Sequence, residues 1–224
     1  MGARVEFLPY HTIIVEGKSK LDGIDYTLMS DPIEAGTFIL TAAAAKGRVT
    51  VLNTEIKFLE LFLKRLKDFG LPLTIQDQGN GVGAVTVYPW KELFIKKVQS
   101  LPYPGIHSDL LSAIGVLATQ AKGSTLLHDP LYEGRLKYLE ELNRMGANII
   151  FCDPHRAVIE GPTKLRGRIL KTADLRGGVA LVIAGLIAEG ETVIQNVYQI
   201  DRGYERIEER LKNIGADIQR VQDL

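Results

Sequence analysis

One similarity recurs along the chain at a fixed spacing. "TIIVEGKSKLDG" begins at Thr12, "AVTVYPWKELFI" at Ala84 and "RAVIEGPTKLRG" at Arg156, so each copy starts 72 residues after the last. Three units of one design, approximately 4–80, 81–153 and 154–224, account for the 224 residues. A repeated unit of this kind cannot bury its apolar surface alone, so the copies must pack on one another.

Within each unit the same signals come in the same order. Two short β-patterned runs lead, as in 12–16 with 24–29 or 157–160 with 167–171. An Asp then precedes a helix of small and apolar residues: "SDPIEAGTFILTAAAAKG", "SDLLSAIGVLATQAKG", "ADLRGGVALVIAGLIAEG". Gly47, Gly123 and Gly190 are expected at the C′ position of these helices. A strand follows ("RVTVLN", "STLLHD", "ETVIQNV"), then an amphipathic helix, which in the last copy carries Tyr204, Ile207, Leu211 and Ile214 on one face. The second helices end "NRMGANI" and "KNIGADI", each expected to lead into a unit-ending strand. The fold expected is α/β, three ββαβαβ units in pseudo-threefold packing, with the first helices enclosed because they are apolar on nearly every side. Met1, Gly2 and Ala3 repeat the end of such a second helix, which raises the expectation that the chain is the downstream part of a longer protein.

Charge narrows the partners. Lys+Arg and Asp+Glu balance at 27 each, so the chain lacks the bulk footprint of a protein that binds nucleic acid or an anionic membrane, and any anion site must be local. The apolar stretches 37–45 and 179–188 are too short to span a bilayer. Cys152 is the only cysteine, so no intramolecular disulfide forms, no Cys/His cluster suggests a structural zinc, and a cytoplasmic setting is expected. In the apolar run "NIIFCD" Cys152 reads as a packing residue.

Three helix starts carry unusual charge: "DLR" (Asp174 to Arg176), "YEGR" (Tyr132 to Arg135) and "IDRGYERIEE" (with Asp201 and Arg202). Arg176 is a cation at the positive end of a helix dipole, and Gly177 and Gly178 follow where glycine weakens a helix. Exposed backbone N–H groups, a dipole and a guanidinium together would receive a phosphate or carboxylate. On the plainer reading, Asp174 and Asp201 cap helices and the arginines pair with them at the surface. Asp109, after Ser108, reads as the middle unit's cap and Asp31 as the first unit's; His107 reads as an incidental polar residue.

"DPIEAGTF", "YPGIHSDL", "YEGRLKYLEELNRMGA", "GPTKLRG", "TADLRGGVALVIAGLIAEGET" and "YQIDRGYERIEERLKNIGADI" closely resemble the C-terminal half of the UDP-N-acetylglucosamine 1-carboxyvinyltransferases, over essentially the whole chain. The resemblance implies an inside-out α/β barrel domain of the enolpyruvyl transferases, with substrates bound between two such domains and the N-terminal one absent here. It implies transfer of the enolpyruvyl group of phosphoenolpyruvate to the 3′-hydroxyl of UDP-N-acetylglucosamine in peptidoglycan precursor synthesis, by addition and elimination with release of phosphate. No metal or cofactor is implied. Asp109 resembles the aspartate facing the reacting hydroxyl as its base. Asp174 resembles the second carboxylate, and Arg202 an arginine that binds phosphoenolpyruvate. Leu131 resembles a backbone contact to the sugar nucleotide, and Tyr132, Glu133, Arg135 and Arg176 resemble supporting cleft residues. Pro32 stands where the family has arginine, "IHSD" replaces F-P-T-D and "YEGR" replaces F-E-N-R. The family's Lys-Asn pair, loop Cys or Asp and further phosphate-binding arginines belong to the other half, and Cys152 does not match that loop cysteine. A noncatalytic binding module derived from the family, or an enolpyruvyl transferase with another acceptor, are the alternative readings.

Overall fold

A computed structural model describes residues 1–221. The first unit holds β1 (Arg4–Leu8), β2 (Thr12–Glu16), α1 (Pro32–Ala44), β3 (Val49–Glu55), α2 (Ile56–Asp68) and β4 (Leu73–Asp77). The second holds β5 (Val82–Val87), β6 (Lys97–Gln99), α3 (Ser108–Ala118), β7 (Gly123–His128), a 3₁₀ turn (Arg135–Lys137) running into α4 (Tyr138–Arg144), and β8 (Asn148–Asp153). The third holds β9 (Arg156–Gly161), β10 (Ile169–Lys171), α5 (Leu175–Ile187), β11 (Val193–Gln195), a 3₁₀ turn (Val197–Gln199) and α6 (Ile207–Asn213).

The interior belongs to α1, α3 and α5, which pack on one another. In α3 every residue but Asp109 is buried, from Ser108 through Ala118. Burying Leu110, Ile114 and Leu117 in this way is worth roughly 1.5–3 kcal/mol each. The helices approach closely because small residues sit at the crossings. A Cβ on Gly36 of α1 would lie 2.7 Å from a methyl carbon of Leu110. The second helices lie outside; α2 turns Ile56, Leu59, Phe62, Leu63 and Leu66 inward, the 3–4 spacing of a one-sided helix.

Sheets are shared between units. β5 stands between β3 and β4, and β9 between β7 and β8, each antiparallel to both neighbours. The first strand of one unit therefore completes the sheet of the unit before it. β6 is parallel to β7 and β10 parallel to β11. The β1–β2 hairpin forms a sheet of its own.

Several expectations need correction. Residues 24–29 form no strand, and none follows α6 up to residue 221; residues 222–224 lie outside the described part. The left-handed residue closing α1 is Lys46 (φ 51°), not Gly47, whose N–H instead reaches back to the Ala42 carbonyl. Gly123 and Gly190 have positive φ but lie beyond the C′ positions of α3 and α5. Ile214 is half exposed because α6 ends at Asn213. Cys152 is exposed rather than packed: it lies on edge strand β8, where the register slips between Phe151 and Asp153 and breaks the inward alternation.

The first and third units are tied by polar contacts as well as packing. The Thr37 hydroxyl bonds the Tyr204 hydroxyl at 2.8 Å, and Arg210 pairs with Glu34 while stacking on Phe38. Burial pushes the Tyr204 phenol from 10.0 up to about 12. Because the folded value exceeds the unfolded one, the folded state holds this proton more tightly, and the associated stability is full below pH 10 and lost as pH rises through about 12. Urea midpoints measured between pH 9 and 12 are expected to fall less steeply for Tyr204→Phe than for the parent chain.

Candidate active site

Two helix starts and one loop converge. At α5, Asp174 is the N-cap as expected, its Oδ1 accepting from the backbone N–H of Arg176 at 2.8 Å and of Gly177 at 2.9 Å. The Gly178 N–H bonds the Asp174 carbonyl. The N–H groups of Arg176, Gly177 and Gly178 are thus already bonded to Asp174, which corrects the expectation that these three are exposed to receive an anion. The two glycines serve packing instead. A Cβ on Gly177 would lie 3.1 Å from Tyr138 Cβ, and one on Gly178 2.6 Å from Thr172 Oγ1 and 2.7 Å from Ile200 Cγ1.

At α3 the cap is His107, whose Nδ1 accepts from the Asp109 N–H at 3.2 Å. Asp109 lies in the first turn and its carboxylate is free of capping, which corrects the reading of Asp109 as the cap. Its Oδ1 accepts from Arg135 Nη1 at 2.9 Å and from Arg176 Nη1 at 3.3 Å. Among the described residues its Oδ2 accepts no hydrogen bond; His107 Nδ1 lies 3.9 Å from it. Arg176 Nε is buried without a hydrogen-bond partner among the described residues.

Local contacts hold these groups. Arg135 also donates to Ser108 Oγ at 2.6 Å and lies over the Tyr132 ring, 3.5 Å from its centroid. Ser112 Oγ donates to the Arg176 carbonyl at 3.1 Å, fastening α3 to the start of α5. Buried Asp129 shapes the loop before Tyr132, accepting from Ser100 Oγ at 2.8 Å and from the Leu131 N–H at 3.1 Å. Ser108, Ser112 and Asp129 were not singled out from sequence. The signal present was two hydroxyls four apart in an otherwise apolar helix, which lie on one face.

Asp109, Tyr132, Arg135, Asp174 and Arg176 are therefore one cluster, with exposed Leu131 and Glu133 on the loop that carries Tyr132. Asp201 and Arg202 occupy a separate turn, five residues or more before α6 starts. Asp201 does not cap that helix. Its carboxylate takes both Nη atoms of Arg220, whose hydrogen bonds hold it below the usual carboxylate range. Arg202 is exposed and makes none of the cluster's ion pairs, but the next residue is against α5: a Cβ on Gly203 would lie 2.9 Å from a methyl carbon of Leu175. Pro32 occupies the first turn of α1 behind the Asp31 cap, where its missing N–H is harmless.

Three repeated α/β units around buried helices, with carboxylates and arginines gathered where those helices begin, have the build of an enolpyruvyl transferase domain. The family model described as EPSP synthase (3-phosphoshikimate 1-carboxyvinyltransferase) matches residues 1–211, and the chain belongs to that family. The UDP-N-acetylglucosamine 1-carboxyvinyltransferase of Bacteroides thetaiotaomicron is 40% identical over 227 residues, covering 99% of this chain and 52% of the relative. That of Halothermothrix orenii is 41% identical over 221 residues, again covering 99% and 52%. The crystal structure of the enolpyruvyl transferase NikO from Streptomyces tendae superposes with a TM-score of 0.83 at 26% identity, over 97% of this chain and 51% of that one. EPSP synthase from Acinetobacter baumannii, at 21% identity, shares the fold (TM-score 0.75, over 99% of this chain and 53% of that one). The chain spans about half the length of the curated relatives it matches.

Asp174→Ala is expected to lower stability by about 1 kcal/mol through loss of the cap, read as a shift in urea midpoint.

Proposed function

We propose that this chain forms one wall of the cleft of an enolpyruvyl transferase that moves the enolpyruvyl group of phosphoenolpyruvate to the 3′-hydroxyl of UDP-N-acetylglucosamine, a step of peptidoglycan precursor synthesis in the cytoplasm. The supporting similarity is the roughly 40% identity to proteins of that name. The single observation that carries the chemical role is the state of Asp109: one oxygen is fixed by two guanidiniums while the other is uncommitted. An oxygen held this way is aimed rather than free to rotate, and accepts the proton of a substrate hydroxyl as that hydroxyl attacks the electrophilic carbon. Asp174 lies beside it as the second carboxylate in the proton traffic. Leu131, Tyr132, Glu133 and Arg135 line the acceptor side, and Arg176 and Arg202 face the phosphorylated substrate.

The local charge count bears on whether this wall suffices. Arg135, Arg176 and Arg202 are equalled in number by Asp109, Glu133 and Asp174, so the proposed site carries no surplus positive charge. Phosphoenolpyruvate carries both a phosphate and a carboxylate, so the positive charge it needs must come from another wall, the N-terminal half of the family. The chain by itself therefore does not turn over. Pro32 and His107, which replace family residues on the acceptor side, favour a second reading in which the acceptor differs. A noncatalytic binding module would have no need of Asp109, Asp174 and Arg202 together.

Phosphate release from phosphoenolpyruvate and UDP-N-acetylglucosamine is expected to be absent for the chain alone and present when the N-terminal half of a relative is supplied. In the complemented assembly Asp109→Asn should lower kcat by about 10²–10⁴-fold. Robust release by the chain alone would overturn the half-site reading.

A further inference from the structure

The turn that carries Arg202 is fastened before and after that residue. After it, a Cβ on Gly203 would lie 2.9 Å from a methyl carbon of Leu175, and the Tyr204 hydroxyl bonds Thr37 Oγ1 at 2.8 Å. The backbone closes there as well, with the Gly203 and Tyr204 N–H groups donating to the Ile200 carbonyl at 3.1 and 3.0 Å. Before it, Asp201 is held by a residue 19 positions downstream: Arg220 donates from Nη1 to Asp201 Oδ2 at 3.0 Å and from Nη2 to Oδ1 at 2.5 Å.

Arg220 holds more than one carboxylate. Its Nη2 also donates to Glu208 Oε2 at 3.1 Å, and its Nε lies 2.9 Å from Glu208 Oε1, so one guanidinium bridges the Arg202 turn to the first turn of α6. Isolated surface ion pairs contribute little, but a planar fork shared by two carboxylates has a defined geometry. Hydrogen bonds from Arg220 hold the Asp201 carboxyl below the usual carboxylate range, and those to Asp201 push the Arg220 guanidinium up.

Arg202 lies between these anchorages, exposed, and forms no ion pair among the described residues. Of the acids in its stretch, Asp201 and Glu208 are taken by Arg220 and Glu209 by Arg206; Glu205 forms no ion pair among the described residues. An acid adjoining an arginine competes for its guanidinium, but both oxygens of Asp201 are engaged elsewhere, which leaves Arg202 for another anion. We propose that Arg220 is a positioning residue for the phosphorylated substrate and acts through Arg202: its bridge to Asp201 and Glu208 fixes the turn and withholds the Asp201 carboxylate from Arg202. This rests on the reading of Arg202 as a contact to phosphoenolpyruvate.

A guanidinium carried on a fixed turn loses less freedom on capturing an anion than one on a mobile turn, so the bridge improves binding without touching the ligand. The contacts that hold Asp109, Arg135 and Tyr132 at the start of α3 include none from Arg220. Loss of the bridge is therefore felt by the phosphorylated substrate and not by the sugar nucleotide.

Arg202→Gln, Arg220→Gln and the double substitution, each combined with the N-terminal half of a relative, test this. Arg220→Gln is expected to raise KM for phosphoenolpyruvate at least about tenfold while KM for UDP-N-acetylglucosamine changes less than about twofold, and Arg220→Lys, whose single ammonium cannot bridge both carboxylates, should not restore the parent value. In the Arg202→Gln background Arg220→Gln should add less than about twofold, because the bridge has nothing left to aim. In the chain alone, hydrogen exchange at residues 201–204 should speed up at least about tenfold in Arg220→Gln while that of α3 is unchanged. Exchange at 201–204 indifferent to Arg220→Gln, an unaltered KM in Arg220→Gln where Arg202→Gln raises it, or the full Arg220→Gln loss persisting without Arg202 would each overturn the role of Arg220 and leave the reading of Arg202 standing. No phosphate release from the parent assembly, or a KM for phosphoenolpyruvate unmoved by Arg202→Gln, would overturn that reading and this inference with it.

Discussion

The structure depends on three helices that have no polar side to show to water. Once α1, α3 and α5 are apolar all round, they can only cover one another, and the sheets and outer helices become the shell that completes their burial. Close contact in the centre demands missing side chains, which Gly36 supplies against Leu110 and Gly115 against Tyr138. The consequence for function is positional. Packing α3 against α5 brings their N-termini side by side, so that Asp109 from one unit meets Arg176 from the next, with Ser112 bonded to the Arg176 carbonyl between them.

That meeting also accounts for an arginine at the positive end of α5. The helix dipole disfavours Arg176 there, but Asp174 sits at the same terminus as an anionic cap and Asp109 accepts from its guanidinium. The unfavourable charge is offset within the cluster and not by a ligand alone. Gly177 and Gly178, which weaken the helix locally, let Tyr138 and Ile200 approach it. Ile200 begins the turn that carries Arg202, so the glycines set how that turn meets α5.

Much of this was legible in the sequence for a physical reason: periodic burial leaves a periodic pattern. The repeat, the enclosed first helices and the caps Asp31 and Asp174 all come from local preferences that the tertiary structure reinforces. The misses fall where a longer-range partner decides. Asp109 and Asp201 look like caps by spacing, yet Arg135 and Arg176 claim the first and Arg220 the second. Cys152 sits in an apolar run, but a slipped register on an edge strand leaves it exposed. Ser108 and Ser112 carry no motif, and only the arrangement of α3 against Arg135 and Arg176 makes them matter. The run 24–29 has the composition of a strand but forms none, and β2, which precedes it, likewise lacks the sheet that its counterparts enjoy.

The central claim is that the Asp109 cluster belongs to the wall that holds a sugar-nucleotide acceptor. Calorimetric competition between UDP-N-acetylglucosamine and shikimate 3-phosphate, carried out on this chain and on Asp109→Ala, tests it most directly. The account predicts that the sugar nucleotide binds in preference to shikimate 3-phosphate and that Asp109→Ala weakens it at least about tenfold, a loss of roughly 1.4 kcal/mol. Equal or tighter binding of shikimate 3-phosphate, or sugar-nucleotide binding indifferent to Asp109, would contradict it.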